Sequence, residues 1–170
     1  ASSMHDEPRP EALAVPDAAL ALKPPADYKR IDDRADTRGR LDIKWVRQAH
    51  DYNAKIRYSV STFDNYSSTD LRHGRFVFRF DVDADEDFER FVTVHWRDFE
   101  KADGGKLASP VKNARRDIVG RAGIAHWSGN RLRIWLARRH LKHPTRYTME
   151  VATEWRRGPC ERHTCVDDTD

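Results

Sequence analysis

The sequence lacks the features that mark several large classes of protein. No apolar run approaches the ~20 residues of a membrane-spanning helix, and only 38% of the 170 residues are hydrophobic. Glycine is scarce, at eight residues, and neither of the glycine-rich phosphate-binding motifs, GxxxxGK[ST] and GxGxxG, is present. The GxSxG nucleophile motif of α/β-hydrolases is also missing. The sequence therefore predicts no membrane span, and it carries none of these nucleotide-binding or hydrolase signatures.

Cysteine is limited to two residues, Cys160 and Cys165, close together in the chain. In an exported protein this spacing predicts a small disulfide loop, with free thiols or a metal pair as the alternatives. A zinc site would need two further ligands, which no second CxxC or HxxxH supplies. The first residue is Ala1 and not an initiator methionine, which fits a mature form cut after a small-residue site; a segment left by a cloning vector is the alternative. We therefore expect a secreted, extracellular protein.

Charge of one sign does not dominate. The 31 basic residues nearly balance the 28 acidic ones, leaving a net charge of +3. Nucleic-acid-binding modules usually gather their basic residues on one stripe, whereas the arginine pairs here, at 115–116, 138–139 and 156–157, are spread among acidic residues. The sequence therefore predicts no nucleic-acid partner.

The clearest pattern is a β-hairpin between Arg75 and Phe99. Alternate residues of its first arm are apolar, and the same period of two returns on the second arm, as expected of half-buried strands. The predicted inward residues are Phe76, Phe78, Phe80, Val92 and Val94. An acidic tip joins the two arms.

The same alternation predicts about seven strands and no long helix. Outside the hairpin, the other five strands are expected at residues 41–47, 55–62, 117–127, 131–141 and 147–155. Strands separated by turns favour an all-β fold, an antiparallel β-sandwich with jelly-roll or immunoglobulin-like topology. We expect this domain to span residues 31–157, preceded by a Pro/Ala-rich arm at 1–30 and followed by a C-terminal tail with the cysteine loop at 158–170.

The predicted arm is broken by five prolines: Pro8, Pro10, Pro16, Pro24 and Pro25. The arm has a few apolar residues that could be buried against another protein surface. It would pack either on its own domain or on a neighbouring chain, which makes self-association or another extracellular protein a candidate partner.

Two acidic clusters suggest a calcium site, because hard cations take several carboxylate oxygens. The candidate ligands are Asp81, Asp83, Asp85 and Asp87 at the hairpin tip and Asp33, Asp36 and Asp42 in the other cluster. The tip is not an EF-hand, since Glu86 stands where that loop requires glycine and Val92 where it requires glutamate. The alternative is a solvated acidic turn whose aspartates cap their own backbone amides.

Aromatic residues suggest a possible glycan surface. Alternation places Trp135 with Arg131 and Arg133 on the face of their strand opposite the apolar residues. Such a platform could stack against sugar rings. The alternative is that the tryptophans fill the core or cover its rim.

The segment Asp32–Ile43 follows the pattern D-x-x-x-D-x-x-G-x-L-D-I, and Phe80-Asp81-Val82-Asp83 lies in the later hairpin. Together these motifs resemble a group of uncharacterised exported domains of GC-rich Gram-positive bacteria. The resemblance covers roughly residues 30–155 and implies an extracellular β-sandwich. It implies no activity and no site residues.

The sequence thus favours a non-catalytic binding or structural module over an enzyme, with three hypotheses. The first is a subunit of an extracellular assembly held by its N-terminal arm. The second is a calcium-assisted carbohydrate-binding module. The third is a hydrolase on a β-sandwich scaffold, for which no nucleophile or acid pair stands out.

Overall fold

The structure is a computed structural model, and it describes residues 29–50, 55–97, 107–127, 129–142 and 147–169. Apart from its last two residues, the predicted N-terminal arm lies outside these ranges. The described part is mostly strands and loops, with three short 3₁₀ turns at Ser68–Arg72, Arg138–Leu141 and Gly158–Cys160. None of its helical segments has the length and apolar character needed to cross a membrane.

Twelve strands are found in the described residues: β1 (Lys29–Asp32), β2 (Ile43–His50), β3 (Lys55–Thr62), β4 (Gly74–Asp81), β5 (Arg90–Trp96), β6 (Leu107–Ala108), β7 (Pro110–Asn113), β8 (Ile118–Arg121), β9 (Gly123–Trp127), β10 (Arg131–Ala137), β11 (Thr148–Trp155) and β12 (Cys165–Asp168). The smaller sheet has the order β1-β2-β3-β10-β9. The larger has the order β12-β11-β4-β5-β7-β8, with β6 paired to β5. Every pairing is antiparallel.

The two sheets form the antiparallel β-sandwich that the sequence predicts. In the larger sheet, β4, β5 and β7 follow one another, and β11 returns to pair with β4. This is a Greek-key arrangement, the connection found in most β-sandwiches. In the smaller sheet β10 returns to pair with β3, and β9 pairs with β10 at the edge of that sheet.

The predicted hairpin forms β4 and β5 and lies at the centre of the larger sheet. Phe76 is opposite Val94 and Phe78 is opposite Val92, and these side chains are completely buried, as is Phe80. Burying one such phenylalanine contributes about 1.5–3 kcal/mol. The inward set predicted from period two is therefore confirmed.

The structure has more strands than the predicted seven because several are short and one prediction merged two strands. Residues 117–127 were expected to form one strand, but β8 pairs with β7 in the larger sheet and β9 pairs with β10 in the smaller. The chain changes sheet at Ala122, whose N–H donates to the carbonyl of Ser109 at 2.9 Å. The Ser109 hydroxyl donates to the carbonyl of Ala122 at 2.6 Å. Those two hydrogen bonds fix the corner.

The C-terminal segment joins the sandwich. Cys160 and Cys165 form the predicted disulfide, and Cys160 is completely buried against the core. The chain then forms β12, which pairs with β11 along the edge of the larger sheet. Residues 165–168, predicted to belong to a tail, are thus part of the larger sheet.

Candidate functional sites

The acidic tip of the central hairpin folds into a compact loop. Asp81, Asp83, Asp85 and Glu89 each place one carboxylate oxygen within 4.8 Å of the others. The fourth member is Glu89, whereas Asp87, predicted from the sequence as a ligand, is not in the group. Glu89 enters because the register of β4 and β5 brings it next to the end of β4.

Backbone N–H groups of the loop donate hydrogen bonds to three of the four carboxylates in this cluster. The buried carboxylate of Asp81 accepts hydrogen bonds from the N–H groups of Asp83 at 3.2 Å and Glu86 at 2.8 Å. Asp83 and Asp85 each accept one from the residue two positions later. Such hydrogen bonds are typical of an acidic turn that caps itself.

Glu89 differs from its neighbours because one of its carboxylate oxygens is buried and receives no hydrogen bond from the described residues. Its Oε1 accepts a hydrogen bond from the N–H of Val82 at 2.8 Å, whereas no donor among the described residues reaches the buried Oε2. Burial raises the pKa of Glu89 to about 7 against the opposing effect of Val82, and the charges of Asp83 and Asp85 add to the rise. The environment of Glu89 therefore favours its protonated form more than water does.

The second acidic cluster joins two distant parts of the chain. Asp33 and Asp36, which follow β1, lie with Asp167 of β12 so that one carboxylate oxygen of each is within 4.8 Å of the others. Asp167 is buried, and its Oδ2 accepts a hydrogen bond from the N–H of Ile43 at 2.7 Å. Burial raises the pKa of Asp167 to about 7, and the charges of Asp33 and Asp42 add to that rise.

Asp42 borders the second cluster from the start of β2. Its side chain is 5% exposed, and among the described residues no donor hydrogen-bonds its buried Oδ1. Burial raises the pKa of Asp42, and the charge of Asp36 contributes to the same direction, while hydrogen bonding from Asp36, Asp167 and Thr37 opposes it. The predicted set Asp33, Asp36 and Asp42 is thus brought together, separately from the hairpin tip.

The three predicted glycan-stacking residues share one outer face. Arg131, Arg133 and Trp135 alternate along β10 with the completely buried Leu132 and Ile134. The guanidinium of Arg133 lies 5.8 Å from the ring centre of Trp135. The predicted common face is confirmed, while a ligand for it stays a prediction.

Trp45 of β2 is the centre of a cationic group on the same face. The guanidinium groups of Arg30, Arg47 and Arg131 lie 4.8–5.2 Å from its ring centre, within the range of cation–π contacts. Trp45 is only 6% exposed. This tryptophan therefore stacks against arginines, and little of its surface remains for a sugar ring.

A groove of about 630 Å³ lies on the outer face of the larger sheet. Arg75, Val77 and Arg79 line it from β4, and Phe91 and His95 line it from β5. These residues alternate along the strands with the buried phenylalanines and valines. Because successive side chains of a strand point to opposite faces of the sheet, the groove residues point outward. The groove is a direct product of the central hairpin.

The groove is strongly basic. Its arginine and lysine lining residues are Arg72, Arg75, Arg79, Lys112, Arg116 and Arg156. Among the described residues one carboxylate, that of Glu154, lines the groove; it is bound to Arg75, and the buried Glu150 is bound to Arg79. Burial lowers the pKa of His95, and the charges of Lys112 and Arg75 lower it further. The positive charge of the groove therefore comes from arginine and lysine and not from His95.

Sequence analysis did not find this groove, because its cations come from segments between residues 72 and 156. Strand pairing brings Arg75, Arg79 and Lys112 together, and two residues of the dispersed arginine pairs, Arg116 and Arg156, also line the groove. Comparisons of the chain with protein-family models, curated proteins and solved structures found no match.

Proposed function

We propose that this chain is an exported, non-catalytic binding module that holds a stretch of acidic oligosaccharide in the basic groove of its larger sheet. The observation that carries the proposal is the concentration of six cationic side chains in one concave groove of about 630 Å³. A volume of that size suits a small-molecule ligand or a short segment of a polymer.

The groove offers both charge and apolar surface. Phe91 lies on β5 between Arg79 of β4 and Lys112 of β7 in the cross-strand register. A carboxylated or sulfated sugar could place its anionic group on the cations and its ring on Phe91. This combination favours an acidic glycan over a neutral one.

Two further features support the proposal. The Cys160–Cys165 disulfide fits an oxidising compartment, where export would place the protein. The carboxylate in the groove lining is bound to an arginine, which favours binding over the paired-carboxylate hydrolysis of glycosidases.

Titration calorimetry with uronate-containing and sulfated oligosaccharides, and with a neutral oligosaccharide of equal length, tests the proposal. We expect the acidic ligands alone to bind, with an affinity that falls as salt rises. Lys112→Gln and Arg75→Gln should each weaken binding up to about fivefold, the equivalent of about 1 kcal/mol. Arg162→Gln makes the same change in charge at an exposed site outside the groove and should leave affinity unchanged.

Three outcomes would contradict the proposal. One is no binding of any acidic oligosaccharide. Another is an equal loss of affinity in all three variants, which would indicate a nonspecific charge effect. The third is tighter binding of single-stranded DNA than of any glycan, since a basic groove with an aromatic floor also has the chemistry of a nucleic-acid site.

A further inference from the structure

The arginine and lysine side chains that line the basic groove in the described part of the chain form two groups, one at each end of β4. The first group lies where β4 begins, and the second lies nearer the hairpin tip. The first consists of Arg72, Arg75 and Arg156, and the second of Arg79, Lys112 and Arg116.

Strand pairing and one backbone hydrogen bond fix where each group lies. Arg79 is opposite Phe91 of β5, and Phe91 is opposite Lys112 of β7, so Arg79 and Lys112 share one row across the sheet. At the other end, the N–H of Arg156 donates to the carbonyl of His73, immediately before β4, at 2.8 Å. The two groups are therefore separated along the direction of β4.

The floor between the two groups is formed by uncharged residues. Val77 lies midway between Arg75 and Arg79 on β4, and Thr93 is opposite it on β5; both line the groove. The neighbour of Val77 on the other side is Ala152 of β11, which is 1% exposed. A ligand in the groove therefore meets positive charge at two places, with a neutral stretch between them.

Two ion pairs hold the arginines of β4 apart. Arg75 is opposite Glu154 of β11 and bound to it, and Arg79 is opposite Glu150 of β11 and bound to it. Each guanidinium is thereby directed across the sheet and not along its own strand, so the spacing of the two follows the spacing of their backbone positions. Residues four apart on a strand are about 13 Å apart. A guanidinium has several N–H donors, so each arginine can bind a ligand anion while it contacts its carboxylate.

We propose that the groove selects acidic oligosaccharides by the spacing of their anionic groups and prefers two such groups roughly 13 Å apart. This inference rests on the proposed function and adds which acidic glycans bind best, namely those in which neutral sugars separate the charged ones. The glycan lies along β4. One anionic group contacts Arg75 and Arg156, the next contacts Arg79 and Lys112, and the neutral sugars lie over Val77.

Titration calorimetry of the full chain with linear oligosaccharides of increasing length, each with a uronate at both ends and neutral sugars between them, tests the spacing. We expect the highest affinity at the length whose carboxylates reach roughly 13 Å apart. The matched control has the same length and a uronate at one end only. It reaches one group of cations at a time and should bind about tenfold more weakly, since each cation contributes up to about fivefold.

Variants in both groups give a second measurement. Arg75→Gln and Lys112→Gln each remove one cation, and the double variant should lose the product of the two single effects, up to about 25-fold, for the ligand of optimal length. Each single variant should weaken the one-uronate ligand less than the two-uronate ligand, because the unaltered group still binds it. Arg162→Gln, at an exposed site outside the groove, should leave the length preference unchanged.

Two results would overturn the inference and leave the proposed function standing. One is an affinity that rises with the number of charges whatever their spacing. The other is equal affinity for the one-uronate and two-uronate ligands of the same length. If none of the acidic oligosaccharides binds, the proposed function is wrong, and this inference is wrong with it.

Discussion

A chain of hydrogen bonds through the core gives the sharpest test of the structure. The hydroxyl of Tyr58 on β3 donates to the hydroxyl of Tyr147, which donates to Oε1 of Gln48 at 3.1 Å. All three residues are at most 2% exposed. Since Tyr147 lies next to β11 and the other two lie on the smaller sheet, these bonds connect the two layers.

Because the two tyrosine hydroxyls occupy different positions in this chain of hydrogen bonds, we expect their removal to lower the free energy of unfolding by different amounts. Tyr147→Phe leaves the Tyr58 hydroxyl without an acceptor and the Gln48 oxygen without a donor. At about 1–3 kcal/mol for each of these two buried unsatisfied groups, we expect a loss of about 2–6 kcal/mol in the free energy of unfolding. Tyr58→Phe leaves the bond from Tyr147 to Gln48 intact, so we expect a loss of only about 1 kcal/mol.

Tyr66 provides the matched control. It is 4% exposed, and its hydroxyl is buried without a hydrogen-bond partner among the described residues. Tyr66→Phe should therefore cost nothing or stabilise the protein. Urea denaturation of the three variants measures the order of their stabilities, provided that the midpoints shift while the m-values stay unchanged. The reasoning is refuted if Tyr147→Phe costs no more than Tyr58→Phe, or if Tyr66→Phe costs as much as Tyr147→Phe.

Two further predictions concern the loop at the hairpin tip and the start of β4. The pKa of Glu89 rises from 4.5 to about 7 on folding, so the native state binds more protons than the unfolded state between these values and stability falls as pH rises through this window. Glu89→Gln should remove the contribution of Glu89 to that fall, while the raised pKa of Asp167 leaves a contribution of its own, and the variant should be more stable than the unaltered chain at pH 8; parallel stability curves from pH 5 to 8 would contradict this. Gly74→Ala would place a Cβ 2.5 Å from the carbonyl oxygen of Glu154 and 2.9 Å from Cδ1 of Leu41. Because backbone cannot move aside easily, we expect a loss of about 1–3 kcal/mol, and an unchanged melting temperature would show that the strands are farther apart than described.

Local alternation was enough to predict the central strands. The strand Lys55–Thr62 has the predicted bounds, and the five inward hairpin residues are buried as predicted: Phe76, Phe78, Phe80, Val92 and Val94. In these segments the parity of a residue decides whether its side chain faces the core or the outer side of its sheet, so the sequence period carries the information.

The alternation of apolar and polar residues does not determine which of the two sheets a strand joins. Ala122 keeps the alternation unbroken while the chain passes from β8 to β9, so one strand was predicted where there are two. Ile118 and Val119 look like core residues, yet they are 56% and 41% exposed because β8 is the last strand of its sheet.

The candidate sites also differ in whether the sequence alone could have revealed their residues. Glu89 could have been found from the sequence, because the register of the predicted hairpin places it opposite Asp81. Asp167 lies 125 residues from Asp42 in the chain and has no local pattern of its own. The groove likewise depends on the pairing of β4 with β11, which no nearby residues specify.

The strands β10 and β11, which return to pair with β3 and β4, also determine when the fold can form completely during synthesis. Until β10 and β11 leave the ribosome, β3 and β4 each have one neighbour and one open side, and the phenylalanines of β4 face a core that lacks the side chains of β10 and β11. A nascent chain at that stage exposes unpaired strand edges, which favour aggregation, for about seconds at ordinary translation rates. The final strands therefore complete the fold.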